Sequence, residues 1–119
     1  MLEEVVFDME VFPEWWCMVY TKPGDMSEKL VITSDDENYK QKITDLRIGR
    51  CLIGFNIKGY DLRILNGILH SCDPDRLYAL SKAIVETNDE TDPFNNYTFW
   101  NKFNFSDLFD DWRDRKSVV

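Results

Sequence analysis

The sequence predicts an α/β domain in which a mixed β-sheet is flanked by helices. Three observations support this class. Short apolar runs separated by turn residues fill the first part of the chain, helix-like and strand-like segments alternate after it, and the apolar content suffices for one core. The 119 residues suit a single domain, with 44% hydrophobic and 14% aromatic residues. The sequence contains no internal repeat or low-complexity tract.

The first three strands are predicted from apolar runs. The runs Glu4–Asp8, Trp15–Thr21 and Lys29–Thr33 are rich in aliphatic, aromatic or β-branched residues. Pro13 interrupts the chain after the first run, and the segment Lys22–Glu28 contains the turn sequence Pro-Gly-Asp. Short connections of this kind predict an antiparallel meander.

Helices and strands alternate in the next part of the chain. A helix is predicted at Asn38–Ile48, with Ser34 or Asp35 as its N-terminal cap, and a fourth strand is predicted at Arg50–Asn56. Apolar residues then recur every three or four positions, which is typical of amphipathic helices. The two helices predicted from this periodicity are Tyr60–Leu69 and Asp75–Glu86.

The last part of the chain is predicted to contain a loop and a final strand. The segment Thr87–Asn96 is polar and acidic, which indicates an exposed loop. A strand is expected around Phe103–Ser106, and a helix is expected to begin within Phe109–Arg115. The predicted order of elements is therefore β-β-β-α-β-α-α-β.

The charge of the chain restricts its partners. There are 22 acidic and 14 basic side chains, which give a formal net charge of −8. This balance argues against a broad nucleic-acid-binding surface, because such surfaces are normally basic. Acidity favours solubility, and it would also suit contact with a basic surface of a partner protein, in imitation of nucleic acid.

The cysteines, the histidine and the hydropathy pattern indicate a cytoplasmic protein without a membrane partner. Cys17, Cys51 and Cys72 form no C-x-x-C pair, which predicts reduced thiols rather than a zinc site or a disulfide framework. His70 is expected near the end of a helix, without a chemical role. No apolar run approaches the roughly 20 residues of a membrane helix, and the N-terminus lacks the basic start of a signal peptide.

Asp8 and Glu10 are the first candidate functional residues. They lie two positions apart at the end of a predicted strand, so both side chains would lie on one face. Because isolated buried charges are costly, a divalent cation is a common companion of such a pair. Carboxylate oxygens are ligands that suit Mg²⁺ or Mn²⁺. The pair alone is a frequent pattern, so a metal site needs a second element.

A second motif lies at the junction between the fourth strand and the helix after it. It has the form G-x-N-x-x-x-(Phe or Tyr)-D and consists of Gly54, Asn56, Tyr60 and Asp61. Together with the D-x-E pair, it resembles the motifs of the DEDD, or DnaQ-like, family of 3′–5′ exonucleases. The chain looks closest to the proofreading domains of phage DNA polymerases. The resemblance extends from Glu4 to about Trp112 and implies one RNase H-like domain over residues 1–119.

The resemblance implies a metal-dependent nuclease site that acts on the 3′ end of single-stranded DNA, with Mg²⁺ or Mn²⁺ as cofactor. The catalytic and metal-binding residues would be Asp8, Glu10 and Asp61. The nucleotide-binding residues would be Phe12, Asn56 and Tyr60. For Tyr60 the alternative is an aromatic core residue that anchors the helix. Trp15 and Trp16 would stack on bases or pack within the sheet.

The third motif of the family, a fourth carboxylate preceded by a Tyr or His base, has no counterpart in this sequence. Tyr97 and Asp107 are too far apart, and His70 lies in the wrong place. The chain therefore resembles a truncated exonuclease domain, incomplete at its C-terminus and weak or inactive alone. The alternative is a non-catalytic acidic phage protein that inhibits a host nucleic-acid-binding enzyme or defence nuclease (anti-CRISPR-like). Its acidic stretches Glu86–Asp92 and Asp107–Asp114 would contact a basic cleft, or else form solvated surface.

Overall fold

The computed structural model describes residues 3–54, 57–87, 91–95 and 105–107. It has an α/β fold with a mixed sheet flanked by helices, as predicted. The strands are β1 (Glu3–Phe12), β2 (Trp15–Lys22), β3 (Asp25–Thr33), β4 (Arg50–Gly54) and β5 (Phe105–Asp107). The helices are α1 (Tyr39–Arg47), α2 (Leu62–Leu69) and α3 (Pro74–Thr87), and a π-helical turn, Ile57–Asp61, precedes α2. The predicted order of strands and helices is confirmed.

The sheet has the strand order β3-β2-β1-β4-β5. The first three strands form the predicted antiparallel meander, while β4 lies parallel to β1 and β5 lies parallel to β4. The predicted turn over Lys22–Glu28 is too long, because β3 already begins at Asp25. Gly24, with a φ of +83°, allows a tight turn there, so Asp25 can pair with Lys22 across an irregularity in register.

The hydrophobic core lies on one face of the sheet, which we call the core face. Its strand residues are Val5, Phe7, Met9, Trp16, Met18, Ile32 and Leu52. The helices add to the same cluster through Ile43, Leu46, Leu62, Ile64, Leu65, Ile68, Leu77 and Ile84. Because side chains alternate along a strand, the residues between these positions point to the opposite side. We call that side the open face, and its apolar residues Val6, Val19 and Val31 are not members of the core cluster.

The predicted cap of α1 is wrong, because Ser34 and Asp35 bind the β2 strand instead. The Ser34 hydroxyl oxygen accepts a hydrogen bond from the Trp16 backbone N–H at 3.2 Å. Asp35 Oδ2 accepts a hydrogen bond from Trp15 Nε1–H at 3.0 Å. The residue that precedes α1 is Asn38, which forms no side-chain cap hydrogen bond. Both predicted caps therefore stabilise the connection from the sheet to α1.

Asp36 also stabilises this connection. Its Oδ2 atom accepts a hydrogen bond from the Thr33 backbone N–H at 2.9 Å. This hydrogen bond and the neighbouring Lys42 ammonium hold the pKa of Asp36 below its usual range, against the opposing effect of desolvation. The charged carboxylate is therefore the form that fits the turn.

His70 lies directly after α2, as predicted, and its Nδ1 atom is 2.9 Å from the Asn66 carbonyl oxygen. Cys17, Cys51 and Cys72 are free thiols. Within the described residues, no helix has both the length and the apolar character required to cross a membrane.

Candidate carboxylate site

Asp8 and Glu10 lie beside each other on the open face of β1. Both are exposed, while Phe7 and Met9 are buried on the core face. The two carboxylates share one face, as their spacing predicts. They do not end the strand, because β1 continues past Glu10 and this residue pairs with Cys17 of β2. The sheet therefore displays a pair of neighbouring carboxylates on a rigid strand.

The parallel strand β4 ends beside this pair. Its pairing with β1 extends as far as Val6 and Ile53, so Asp8 lies just past the last paired residue. A Cβ atom on Gly54 would lie 3.2 Å from the Phe7 carbonyl oxygen, so a side chain here would press on β1. In open α/β sheets, ligands bind in the crevice outside the carboxyl ends of parallel strands. Asp8 occupies that position in this sheet.

The π-helical turn after β4 carries Tyr60 and Asp61. Asp61 ends this turn and is only 4% exposed. Burial raises the pKa of Tyr60, the hydrogen bond with Ser81 lowers it, and the charges of Asp61 and Asp8 raise it further. The Tyr60 and Ser81 hydroxyl oxygens are 2.7 Å apart, which ties the turn to α3. This contact, together with the packing of Tyr60 against the core, favours the interpretation of Tyr60 as a packed anchor of the helix.

In the described part of the chain, Asp8, Glu10 and Asp61 are not gathered into one group of metal ligands. Among the residues that the structure describes, no group of three or more His, Cys, Asp or Glu side chains could hold a metal ion. Asp8 and Glu10 are exposed on the sheet, whereas Asp61 is buried. The described fold thus offers two accessible carboxylates rather than a closed two-metal centre, and binding of Mg²⁺ or Mn²⁺ stays a prediction.

Aromatic rings continue the open face beyond the carboxylates. Phe12 is 45% exposed, and its ring centroid lies 5.8 Å from that of Trp15. The hydrogen bond to Asp35 fixes the orientation of the Trp15 indole. Trp16 differs, because it is only 1% exposed and packs edge-on against Tyr39, with centroids 5.2 Å apart. Phe12 and Trp15 are therefore available to a ligand, while Trp16 belongs to the core.

Some predicted positions lie outside the described residues. Asn56 is one of them, and so is the predicted helix start at Phe109–Arg115. Of the acidic stretch Asp107–Asp114, the structure describes only Asp107, which ends β5 and pairs in register with Gly54.

A buried ion pair fixes segment 91–95 to α2. Arg63 on α2 binds Asp92, and their side chains are only 3% and 10% exposed. Asn66 Nδ2 donates a hydrogen bond to the Phe94 carbonyl oxygen at 3.0 Å. The prediction that Thr87–Asn96 is an exposed loop is therefore wrong for Asp92, because this part of the loop packs on the helix.

Arg63 also stabilises the turn that carries Tyr60 and Asp61. Its Nη1 atom donates a hydrogen bond to the Gly59 carbonyl oxygen at 3.1 Å. The sequence gives an indication of this role, because Arg63 is the one charged residue in Leu62–Leu69, where the other residues are apolar except for Asn66. A charge in a buried helix requires a partner, and Asp92 supplies it.

Cys17 lies next to the carboxylate pair on the open face. Burial raises the pKa of its thiol, and the negative charges of Glu10 and Asp8 raise it further. The thiol therefore stays protonated near neutral pH and is not an activated nucleophile.

Comparisons of the chain with protein-family models, with curated proteins and with solved structures found no match. The structure itself defines the class as an α/β protein that presents two carboxylates on one face of a mixed sheet.

Proposed function

We propose that this chain is a phage-type 3′–5′ exonuclease-like domain of the DEDD class, with an RNase H-like fold, that is weak or inactive as an isolated nuclease. One observation carries this proposal. Asp8 and Glu10 are exposed on β1 at the point where parallel strand β4 ends and the turn bearing Asp61 follows.

The arrangement of the elements supports the proposal. The order of three strands, a helix, a strand and further helices is the order that the resemblance implies. The close approach of Gly54 to the Phe7 backbone also supports it, because it puts the end of β4 next to the strand that carries Asp8 and Glu10. Residues of the two sequence motifs that are distant in sequence therefore lie on neighbouring strands.

The separation of two exposed carboxylates from the buried Asp61 supports the expectation that the isolated chain is a poor catalyst. In enzymes of this kind, bound Mg²⁺ or Mn²⁺ activates water and stabilises the leaving oxygen. Asp8 and Glu10 can offer oxygen ligands to a cation from solvent, but Asp61 is buried and no third ligand joins them among the described residues. Two carboxylates on an open surface bind such ions weakly, because water competes for the remaining positions.

We expect weak binding of Mn²⁺ at the carboxylate pair, with a dissociation constant on the order of 10⁻³ M. Isothermal titration calorimetry would measure it. The double variant Asp8→Asn/Glu10→Gln should abolish the heat of binding. The matched control, Glu37→Gln/Glu86→Gln, removes two exposed carboxylates elsewhere and should leave the heat unchanged.

A nuclease assay in Mn²⁺ completes this test. Single-stranded DNA should be shortened from its 3′ end slowly or not at all, and any shortening should disappear with Asp61→Ala. Cleavage that persists in this variant would come from another source. A titration without heat, or with heat that the Asp8→Asn/Glu10→Gln variant does not change, would contradict the proposed site.

The open face favours a second function, that of a non-catalytic acidic protein. Such a protein would bind the basic cleft of a host nucleic-acid-binding enzyme or defence nuclease and inhibit it, in an anti-CRISPR-like manner. The supporting observation is that Asp8 and Glu10 are exposed on the open face, whose valines Val6, Val19 and Val31 lie outside the described core cluster. Carboxylates displayed in this way can meet a basic surface without any metal.

We expect the affinity for such a partner to fall as ionic strength rises, because exposed charges are screened within about 10 Å at 0.1 M salt. Binding to an immobilised nuclease with a basic cleft, measured between about 0.05 and 0.5 M salt, would show this dependence. Nucleic acid should compete for the same cleft. Equal affinity at low and high salt would exclude the electrostatic version of this function.

A further inference from the structure

The open face is organised in rows that cross the strands. Asp8 on β1 pairs with Val19 on β2, and Val19 pairs with Val31 on β3. In the neighbouring row, Glu10 pairs with Cys17. Residues paired in this way point to the same side of a sheet. The face therefore has an apolar part over β2 and β3 and an acidic part along β1.

The apolar part is accessible and contains a small cavity. Val31 is 52% exposed, although it is a valine on a strand, and Val6 and Val19 are only half-buried. A surface cavity of about 120 Å³ lies beside Val6 and Val19, and Val31 is the strand partner of Val19. Residues of the open face that line it are Val6, Asp8, Val19, Thr21 and Lys29. Its size is close to the roughly 150 Å³ of an engineered protein cavity that accommodates benzene, so one aliphatic side chain would fit.

We propose that the open face docks an amphipathic helix of a partner protein, which places an aliphatic side chain in this cavity and arginine or lysine side chains against Asp8 and Glu10. This inference rests on the second proposed function and names the surface and the chemistry of the partner. A helix is about 10 Å wide and strands are about 4.8 Å apart, so one helix covers two neighbouring strands. Covering a sheet face with a helix is also the usual way of burying its apolar residues.

The charges and aromatic rings of the open face indicate the chemistry of its partner. The chain carries a net charge of −8, the carboxylate of Asp8 lies beside Val19, and that of Glu10 lies in the next row beside Cys17. Beyond Glu10, the exposed ring of Phe12 and the half-buried ring of Trp15 offer π faces, on which an arginine guanidinium stacks favourably. The same carboxylates would repel phosphates, so this face suits a basic protein segment better than a nucleic acid.

The test uses a designed peptide as the probe. An 18-residue, fluorescein-labelled helical peptide with leucines on one face and arginines beside them would be titrated with the full chain and followed by fluorescence anisotropy. We expect Val31→Lys and Asp8→Asn/Glu10→Gln each to weaken binding at least about tenfold. The matched control is Val85→Lys on α3, where the valine is 72% exposed, and it should bind as the unchanged chain does.

Two further probes separate the possible outcomes. A peptide with the same arginines but serine in place of leucine should bind at least about tenfold more weakly, because it leaves the cavity unfilled. Equal binding of the two peptides, or equal losses in Val31→Lys and Val85→Lys, would overturn the proposal. The proposal would also be overturned if single-stranded DNA bound more tightly than the peptide and if Val31→Lys weakened that DNA binding. If a nuclease with a basic cleft binds all the variants equally, the second proposed function keeps its support, but the open face is excluded as the contact surface.

The variants can be checked for folding by circular dichroism and urea denaturation. Val31 is half exposed, so lysine there should be tolerated. If Val31→Lys does not fold, Val31→Thr keeps the β-branched shape while reducing the apolar contact, and Val85→Thr is then its control. In that pair, binding that is weakened only by Val31→Thr supports the proposal, and unchanged binding in both contradicts it.

Discussion

Replacing Arg63 with methionine is expected to lower the free energy of unfolding by about 3–5 kcal/mol. The Arg63 side chain is 3% exposed, and its partner Asp92 is 10% exposed. Methionine keeps much of the length and volume of arginine, so the main effect is the loss of charge. Asp92 would then retain its hydrogen bond from the Phe94 N–H, 3.0 Å from Oδ1, without a cation to balance its buried charge.

Urea denaturation would measure this loss, with Lys82→Met as the control. Lys82 lies 3.9 Å from Glu86 on α3, and both side chains are more than half exposed, so that change should cost less than about 0.5 kcal/mol. The double variant Arg63→Met/Asp92→Leu should recover part of the stability, because no uncompensated charge remains. Similar costs for Arg63→Met and Lys82→Met would show that the buried ion pair does not stabilise the fold.

Gly54→Ala is expected to destabilise the protein by about 1–3 kcal/mol and to disturb the carboxylate site. The new Cβ atom would lie 3.2 Å from the Phe7 carbonyl oxygen and 3.0 Å from Ile57 Cγ1. The first of these neighbours is backbone, so β1 and β4 would have to move apart where Asp8 follows Phe7. The weak Mn²⁺ binding expected at the carboxylate pair should therefore decrease as well.

Gly67→Ala is the matched control for this change. A Cβ atom there would approach Leu77 Cδ1 to 3.0 Å, but that atom ends a flexible side chain. Alanine is also favoured over glycine in a helix by roughly 1 kcal/mol, which offsets the cost of repacking. Urea denaturation of both variants should show a clear loss only for Gly54→Ala. Equal stability of the two variants would contradict the close approach of β4 to β1.

Apolar runs and turn residues were sufficient to predict the order of the strands along the chain, but not all of their ends. The segment Trp15–Thr21 is continuous in hydrophobic and β-branched residues, and it forms β2 with only one added residue. The start of β3 was not predictable in this way, because Asp25–Glu28 has three polar residues and only one apolar residue, Met26. Its extended conformation depends on pairing with β2 across the turn at Gly24, and a sequence pattern does not contain that tertiary information.

The candidate site was predictable only in part. Spacing alone placed Asp8 and Glu10 on one face, because strand periodicity is local. The burial of Asp61 depends on how the π-helical turn packs against α3, which is a tertiary property. The ion pair between Arg63 and Asp92 joins positions far apart in sequence. A charged residue in an apolar helix indicates that a partner of opposite charge is needed, but it does not indicate which residue that partner is.

The outer position of β3 in the described sheet has a consequence for self-association. An outer strand presents backbone groups that can pair with a strand of another molecule and start aggregation. The first five residues of β3 are exposed, and they include the charged residues Asp25, Glu28 and Lys29. Charges along such an edge oppose edge-to-edge pairing between copies of the chain. The charged first part of β3, which lacks a strand pattern in the sequence, is thus expected to oppose amyloid-like assembly of the folded protein.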